Sequence, residues 1–202
     1  MFGIDEDLNG RLFETFLSAI MRGQALGQYF TPRSVAKLIT RLASPKASRN
    51  KVDRVLDACC GTGGFLIEAL TDMRNEINAN SSLTKLESEN LKMKVANDSI
   101  YGVDIGKDPP VARIARINMY LHGDGGSRIF VADSLDKAAV SGAPNDPQSK
   151  RELEEWRTLV EGIAKGKAGI KEGAVDGFDI VLSNPPFSLD LLRNCQMASS
   201  KL

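Results

Sequence analysis

A short segment near the end of the chain combines an amide, two prolines and an aromatic ring directly after an apolar stretch. Residues 178–183 predict a strand, which is followed by Asn184, Pro185, Pro186 and Phe187. The amide oxygen of Asn184 and the backbone carbonyl of Pro185 can both accept hydrogen bonds from an exocyclic amine, which orients the nitrogen lone pair without a charged base. Phe187 can stack on a base withdrawn from a duplex. The segment predicts chemistry at an amino nitrogen, although Pro-Pro-aromatic runs also occur in ordinary loops.

A glycine-rich turn comes after an earlier predicted strand, which covers residues 54–57 and ends in Asp57. A helix over residues 65–70 is predicted after the turn. Glycines let the backbone approach a ligand closely, and an acid at the strand end orients the loop or meets a polar ligand group. A generic tight turn of an unrelated α/β protein is the alternative reading. The turn consists of Cys59, Cys60, Gly61, Thr62 and Gly63.

Two further acids end predicted strands. Asp104 closes a strand over residues 99–104, where a carboxylate can accept both hydroxyls of a ribose. It lies beyond Asp57 by far more than the usual offset of about 20 residues, and we attribute the excess to an insertion. Asp133 closes a strand over residues 128–133 and could accept from an adenine amino group, with capping of a helix as the alternative role.

Helical segments precede the glycine turn. Residues 8–21 place apolar side chains at helical spacing and predict an amphipathic helix that packs on the segments C-terminal to it. A second helix is predicted after residue 31, where Thr31 can cap its start and Pro32 suits its first turn. The segment that leads into this second helix consists of Gln28, Tyr29, Phe30, Thr31, Pro32 and Arg33.

The alternation of strands and helices predicts an α/β fold with a mostly parallel, covered sheet. A fourth strand is expected over residues 178–183, and a helix over about 111–121. Residues 72–98 and 137–177 break the rhythm, and we interpret both as insertions, the second with a charged helical segment over about 151–163.

Composition limits the classes of function. The chain has 202 residues with 26 basic and 26 acidic side chains, so no overall basic field drives binding to nucleic acid. The three cysteines, Cys59, Cys60 and Cys195, form neither a disulfide framework nor a paired metal spacing, and a single histidine, His122, gives a metal site little support. Without a leader segment or an apolar run of about 18 residues, we expect a cytoplasmic protein.

These motifs together resemble a known family. Asn-Pro-Pro-Phe at 184–187 is similar to the catalytic motif of amino-methyltransferases, and residues 28–33 are similar to the upstream cofactor motif of adenine methyltransferases. Asp57 and its glycine turn look like the first methyltransferase motif. The order of the motifs, with residues 8–17 and 118–123, resembles the modification subunit of type I restriction-modification systems, the adenine-N6 DNA methyltransferases.

The resemblance implies S-adenosylmethionine as cofactor and a Rossmann-like methyltransferase fold, preceded by a helical segment over residues 1–50. It implies double-stranded DNA, a specificity subunit, a restriction subunit and a second modification subunit as partners, and no membrane. The implied catalytic residues are Asn184, Pro185, Pro186 and Phe187. The implied cofactor residues are Gln28, Tyr29, Phe30, Thr31, Pro32, Arg33, Asp57, Cys59, Cys60, Gly61, Thr62, Gly63, Asp104 and Asp133.

The resemblance implies a sheet of seven strands for a full enzyme, whereas the sequence predicts four. We therefore expect a partial catalytic domain over residues 51–188, truncated after the fourth strand, and a tail over 189–202. Two alternatives stay open: a protein-glutamine N-methyltransferase, which shares the Asn-Pro-Pro-aromatic motif, and a cofactor-binding remnant without turnover. Residues 28–33 favour DNA as the substrate. Cytosine-C5 chemistry is disfavoured, because no cysteine comes directly after a proline.

Overall fold

The computed structural model describes residues 31–104, 111–123, 128–134, 147–165 and 177–185. Helices and strands alternate along most of this part of the chain, as the sequence predicts. In chain order the elements are α1 (Arg33–Ala43), β1 (Val55–Asp57), α2 (Gly64–Ala79), α3 (Lys85–Asp98), β2 (Ile100–Asp104), α4 (Val111–Leu121), β3 (Ile129–Val131), α5 (Pro147–Lys165) and β4 (Ile180–Val181).

The described strands form one parallel sheet with the order β3-β2-β1-β4. Val55 of β1 pairs with Ile100 on one side and with Ile180 on the other, and Gly102 of β2 pairs with Ile129 of β3. Because β1 lies between β2 and β4, the chain changes direction across the sheet at β1. Ligands of open α/β sheets bind outside the carboxyl ends of the strands at such a switch point. The predicted α/β fold class is therefore confirmed.

One face of the sheet carries the larger core. The side chains of Val55, Ile100 and Ile129 point to this face, where they pack on a stripe from α2. Residues of that stripe recur at helical spacing and are essentially inaccessible to solvent. Burial of each of these side chains stabilises the folded state by roughly 1.5 to 3 kcal/mol. Alternation along the strands thus places α2 directly beneath the sheet. The stripe consists of Leu66, Ile67, Leu70, Met73 and Ile77.

The opposite face is covered by α5. Tyr101, Val103 and Phe130 alternate with the residues of the first core and form a second core with the helix. Phe130 and Trp156 lie with ring centroids 5.7 Å apart at an interplanar angle of 41°. The charged segment within residues 137–177 therefore contains the helix that buries the second face of the sheet.

Two helices differ from their predicted extent. The helix expected over residues 65–70 continues to Ala79, because Met73 and Ile77 extend its buried stripe. Residues 72–98 include the end of this helix and the whole of α3. Thr84 caps the start of α3 through reciprocal hydrogen bonds with Glu87. The helix of residues 151–163 spans Pro147–Lys165. Whether these stretches are insertions stays a prediction.

Helix α1 buries few of its side chains. Ala36 and Thr40 are its buried residues, whereas Leu38 and Leu42 are 59% and 76% exposed. The large apolar side chains of α1 therefore do not pack in the core beneath the sheet. Among the described helices, none combines the length and apolar character needed to cross a membrane. The predicted helix of residues 8–21 lies outside the described residues.

Candidate functional site

The glycine turn joins β1 to α2 in the conformation that its sequence requires. Gly61 and Gly63 have φ values of 53° and 89°, in the left-handed region that side chains disfavour. The amide of Gly61 donates to Asp104 Oδ2 over 2.9 Å, and the amide of Cys60 donates to the carbonyl of Val103 over 2.9 Å. The end of β2 therefore fixes the turn through one charge-assisted and one backbone hydrogen bond.

A residue outside the predicted site supports the turn from the other side. Asn118 of α4 is fully buried, and its Nδ2 donates to the carbonyl of Thr62 over 2.9 Å. A Cβ on Gly63 would meet Ala115 Cβ at 3.6 Å and Met119 Cγ at 3.8 Å, so α4 packs directly against the turn. The sequence offered one indication of this contact: a buried-face asparagine within a helix requires a polar partner.

Asp57 ends β1 as a buried carboxyl beneath the turn. Its Oδ1 accepts from the amide of Cys59 over 3.1 Å. Burial raises the pKa of Asp57 to about 7, and nearby Asp104 adds to this, while hydrogen bonds from the Cys59 amide and the Ser183 side chain oppose it. A positive charge placed near Asp57 would favour its ionised form, so this carboxyl suits a cationic ligand.

The structure brings Thr31 and Asn184 into contact, although 153 residues separate them in sequence. Asn184 Nδ2 donates to Thr31 Oγ1 over 3.0 Å. The prediction that Thr31 caps α1 is wrong: the cap position is Pro32, and no side chain caps the helix. The physical reason is that the threonine hydroxyl is used instead for the long-range contact with Asn184.

An open cleft lies between Thr31, the glycine turn and Asn184. A Cβ placed on Gly61 or on Gly64 would meet nothing within 4 Å, so both glycines border open space. The lining residues are Thr31, Asp57, Cys59, Cys60, Gly61, Thr62, Gly64, Phe65 and Asn184.

The cleft includes two residues that were not among the predicted site residues, Gly64 and Phe65, at the start of α2. Both come directly after the predicted turn, so extending the motif by one helical turn would have found them. Desolvation raises the pKa of the half-buried Cys59 thiol, and it raises the pKa of the buried Cys60 thiol further. Raised thiol pKa values are typical of packing residues rather than nucleophiles.

Several predicted cofactor residues do not line the cleft. Arg33 Nε forms a 3.0 Å ion pair with the buried Glu68 of α2. Asp104 braces the turn, and Asp133 lies after β3 at the next strand end, half-buried. Pro185 is exposed. Pro32 and Gly63 are described but do not line the cleft. The predicted site residues outside the described part of the chain are Gln28, Tyr29, Phe30, Pro186 and Phe187.

The sheet order, the covered faces and the glycine turn at the switch point define the Rossmann-like fold of S-adenosylmethionine-dependent methyltransferases. A solved structure shares this fold: the modification subunit of a putative type I restriction enzyme from Vibrio vulnificus YJ016. It is 28% identical with a TM-score of 0.51, over 67% of this chain and 25% of that chain.

The chain belongs to the N-6 DNA Methylase family, whose model matches residues 4–201. It is 32% identical over 131 residues to the type I restriction enzyme MjaIX methylase subunit of Methanocaldococcus jannaschii, a match that covers 64% of this chain and 19% of the relative. It is 32% identical over 166 residues to the type II restriction enzyme and methyltransferase RM.BcgI of Heyndrickxia coagulans, covering 78% and 24%. The chain thus spans about a fifth to a quarter of these relatives, and the predicted resemblance is confirmed.

Proposed function

We propose that the cleft binds S-adenosylmethionine and that the chain takes part in methylating the N6 nitrogen of adenine in DNA within a type I restriction-modification system. The observation that carries this proposal is the position of the Asn184 side chain in the same cleft as the glycine turn. A cofactor site and an acceptor for an amine are needed side by side for methyl transfer to nitrogen. Family membership supports the same reaction.

The residues of the cleft fit the cofactor. Gly61 and Gly64 leave open space above the turn, which suits close approach of a ligand to the backbone. Asp57 offers a buried carboxyl that a cation would favour in its ionised form. Asp104, while bracing Gly61, lies at the strand end where a ribose would be held. Bound S-adenosylmethionine would supply an electrophilic methyl group on a positively charged sulfur.

The chain's own contribution to the reaction is orientation of the target amine. Asn184 and the carbonyl of Pro185 would accept hydrogen bonds from the two N6 protons, which directs the nitrogen lone pair at the donor. The nitrogen would lose its surplus proton to water once the new bond to carbon has formed, so no charged base is required. Phe187, in keeping with the family resemblance, would stack on the extruded adenine.

Partners are needed for recognition of DNA. The chain has 26 basic and 26 acidic residues, so a strong unspecific attraction to phosphates does not arise from net charge. We propose that a specificity subunit supplies the sequence-reading contacts, that a second modification subunit joins the same complex, and that a restriction subunit completes it. The relatives named as type I methylase subunits support this proposal.

The proposal is tested by methyl transfer from labelled S-adenosylmethionine to unmodified duplex DNA, with a type I specificity subunit supplied and nucleoside analysis of the product. We expect labelled N6-methyladenine. Asn184→Ala should lower the rate by a factor of about 100 or more, corresponding to roughly 3 kcal/mol of barrier, with nearly unchanged cofactor affinity.

The matched control is Asn97→Ala at the exposed end of α3, which should leave the rate unchanged. Wild-type turnover by Asn184→Ala would refute the catalytic role of the motif. Label found in glutamine of a protein rather than in DNA would favour the alternative enzyme, and cofactor binding without transfer would favour a remnant.

A further inference from the structure

The contact between Thr31 and Asn184 joins two parts of the chain that the topology alone would not connect. Thr31 precedes α1, before the first strand of the sheet, and Asn184 lies after β4. Their side chains meet at 3.0 Å, with Asn184 Nδ2 donating to Thr31 Oγ1. Both residues also line the cleft. The contact is therefore part of the site and not a remote brace.

The direction of this hydrogen bond matters for the chemistry of an asparagine. A carboxamide has a donor branch and an acceptor branch, and a rotation by half a turn exchanges them. Acceptance of an amine proton requires the oxygen branch at the substrate. With Nδ2 engaged by Thr31, the oxygen of Asn184 occupies the opposite branch of the side chain.

Thr31 is itself held by the scaffold. Helix α1 begins at Arg33, whose Nε pairs with the buried Glu68 of α2 over 3.0 Å. Ala36 and Thr40 of the same helix are buried. Helix α2 starts at Gly64, directly after the glycine turn, so one helix positions both the turn and Thr31.

We propose that Thr31 is a positioning residue that holds the Asn184 carboxamide at the cleft, where that side chain meets the target amine. This inference rests on the proposed function. The hydroxyl performs no local capping, since α1 begins without a side-chain cap. Its role is exerted through Asn184, whereas Asn184 touches the substrate.

The first experiment observes the carboxamide directly in the 202-residue chain labelled with ¹⁵N-asparagine. Loss of one side-chain amide pair in Asn184→Ala assigns the resonances of Asn184. Thr31→Val, which keeps the shape but removes the hydroxyl, should shift that pair. Thr31→Ser should keep it near its wild-type position. Thr158→Val is the matched control, because the Thr158 hydroxyl bonds to Glu154 within α5.

The second experiment is a double-mutant cycle on methyl transfer with the specificity subunit supplied. Thr31→Val should lower the single-turnover rate by about 10- to 100-fold at saturating cofactor, since misplacing a reacting group has effects of this size. Thr31→Ser should restore most of the rate. In the Asn184→Ala background, Thr31→Val should lower the residual rate by less than about twofold, because non-additivity marks residues that act through one another.

The outcomes separate the inference from the proposed function. Unchanged Asn184 resonances in Thr31→Val, or rate losses that multiply independently, would overturn the positioning role while leaving the methyltransferase proposal standing. Wild-type turnover by Asn184→Ala would instead refute the catalytic role of Asn184. The absence of methyl transfer by the wild-type chain with the specificity subunit would overturn the proposed function, whatever Thr31→Val does to the resonances.

Discussion

At the scale of a single residue, Asp57 is a buried carboxyl in a position that suits a cationic ligand. It is 1% exposed, and burial raises its pKa to about 7. The folded chain therefore retains a proton on Asp57 between about pH 4 and pH 7, where the unfolded chain does not. Stability should fall as pH rises through this window and level off above it, because the unfolded state binds fewer protons there. A carboxyl suited to a cationic ligand is thus kept at a cost in stability.

Replacement of this carboxyl by a neutral amide should remove the pH-dependent penalty. The free energy of unfolding of Asp57→Asn minus that of wild type should increase by about 3 kcal/mol when the pH is raised from 4.5 to 8. Urea unfolding at the two pH values measures this difference. Glu89→Gln, at an exposed ion pair with Lys92, is the control and should show no such divergence. Parallel pH profiles of stability for wild type and Asp57→Asn would contradict the raised pKa of Asp57.

At the scale of elements, α4 supports the glycine turn that α2 and β2 also hold. Asn118→Ala removes the hydrogen bond to the Thr62 carbonyl and leaves that carbonyl to find another partner. The loss should lower the free energy of unfolding by about 1 to 3 kcal/mol and also weaken binding of S-adenosylmethionine. Denaturant unfolding and calorimetric titration check the two effects. Asn97→Ala serves as the exposed control. Full cofactor affinity in Asn118→Ala would show that the turn does not depend on α4.

Elements were predictable from sequence where a local pattern determines them. Helix α4 has the expected bounds of Val111–Leu121, and β2 differs from its predicted range by one residue. The fourth strand is shorter than expected, at Ile180–Val181, because only a short stretch of the apolar run pairs with β1.

Contacts that depend on the sheet order were not predictable. The bond between Thr31 and Asn184 requires β4 to lie beside β1, which local periodicity does not encode. Likewise, α1 buries Ala36 and Thr40 and leaves Leu38 and Leu42 exposed, which its apolar pattern alone does not predict. Tertiary packing overrides the local pattern in such cases.

At the scale of the whole molecule, helix α5 covers the second face of the sheet. Trp156 is the chain's only tryptophan, and it packs on Phe130 at the sheet. Its fluorescence should therefore report detachment of α5. In wild type, the fluorescence and circular dichroism transitions in urea should coincide, as in a cooperative domain.

Removal of a core side chain from α5 should destabilise the entire fold. Leu159→Ala should lower the free energy of unfolding by about 2 to 5 kcal/mol and move both transitions together, because Leu159 is only 2% exposed. Glu155→Ala on the exposed side of the helix is the control. A fluorescence transition that moves alone would mean that α5 is a separate, weakly attached element.

The most direct test of the proposed cofactor site is a nuclear magnetic resonance titration of the ¹⁵N-labelled chain with S-adenosylmethionine. We predict saturable shifts of the backbone amides of residues 59–64, of Thr31 and of the Asn184 side chain, which border the cleft. Amides in the exposed part of α3 should stay unchanged and serve as the internal control. The absence of saturable shifts, or shifts centred away from the glycine turn, would contradict the assignment of this cleft as the cofactor site.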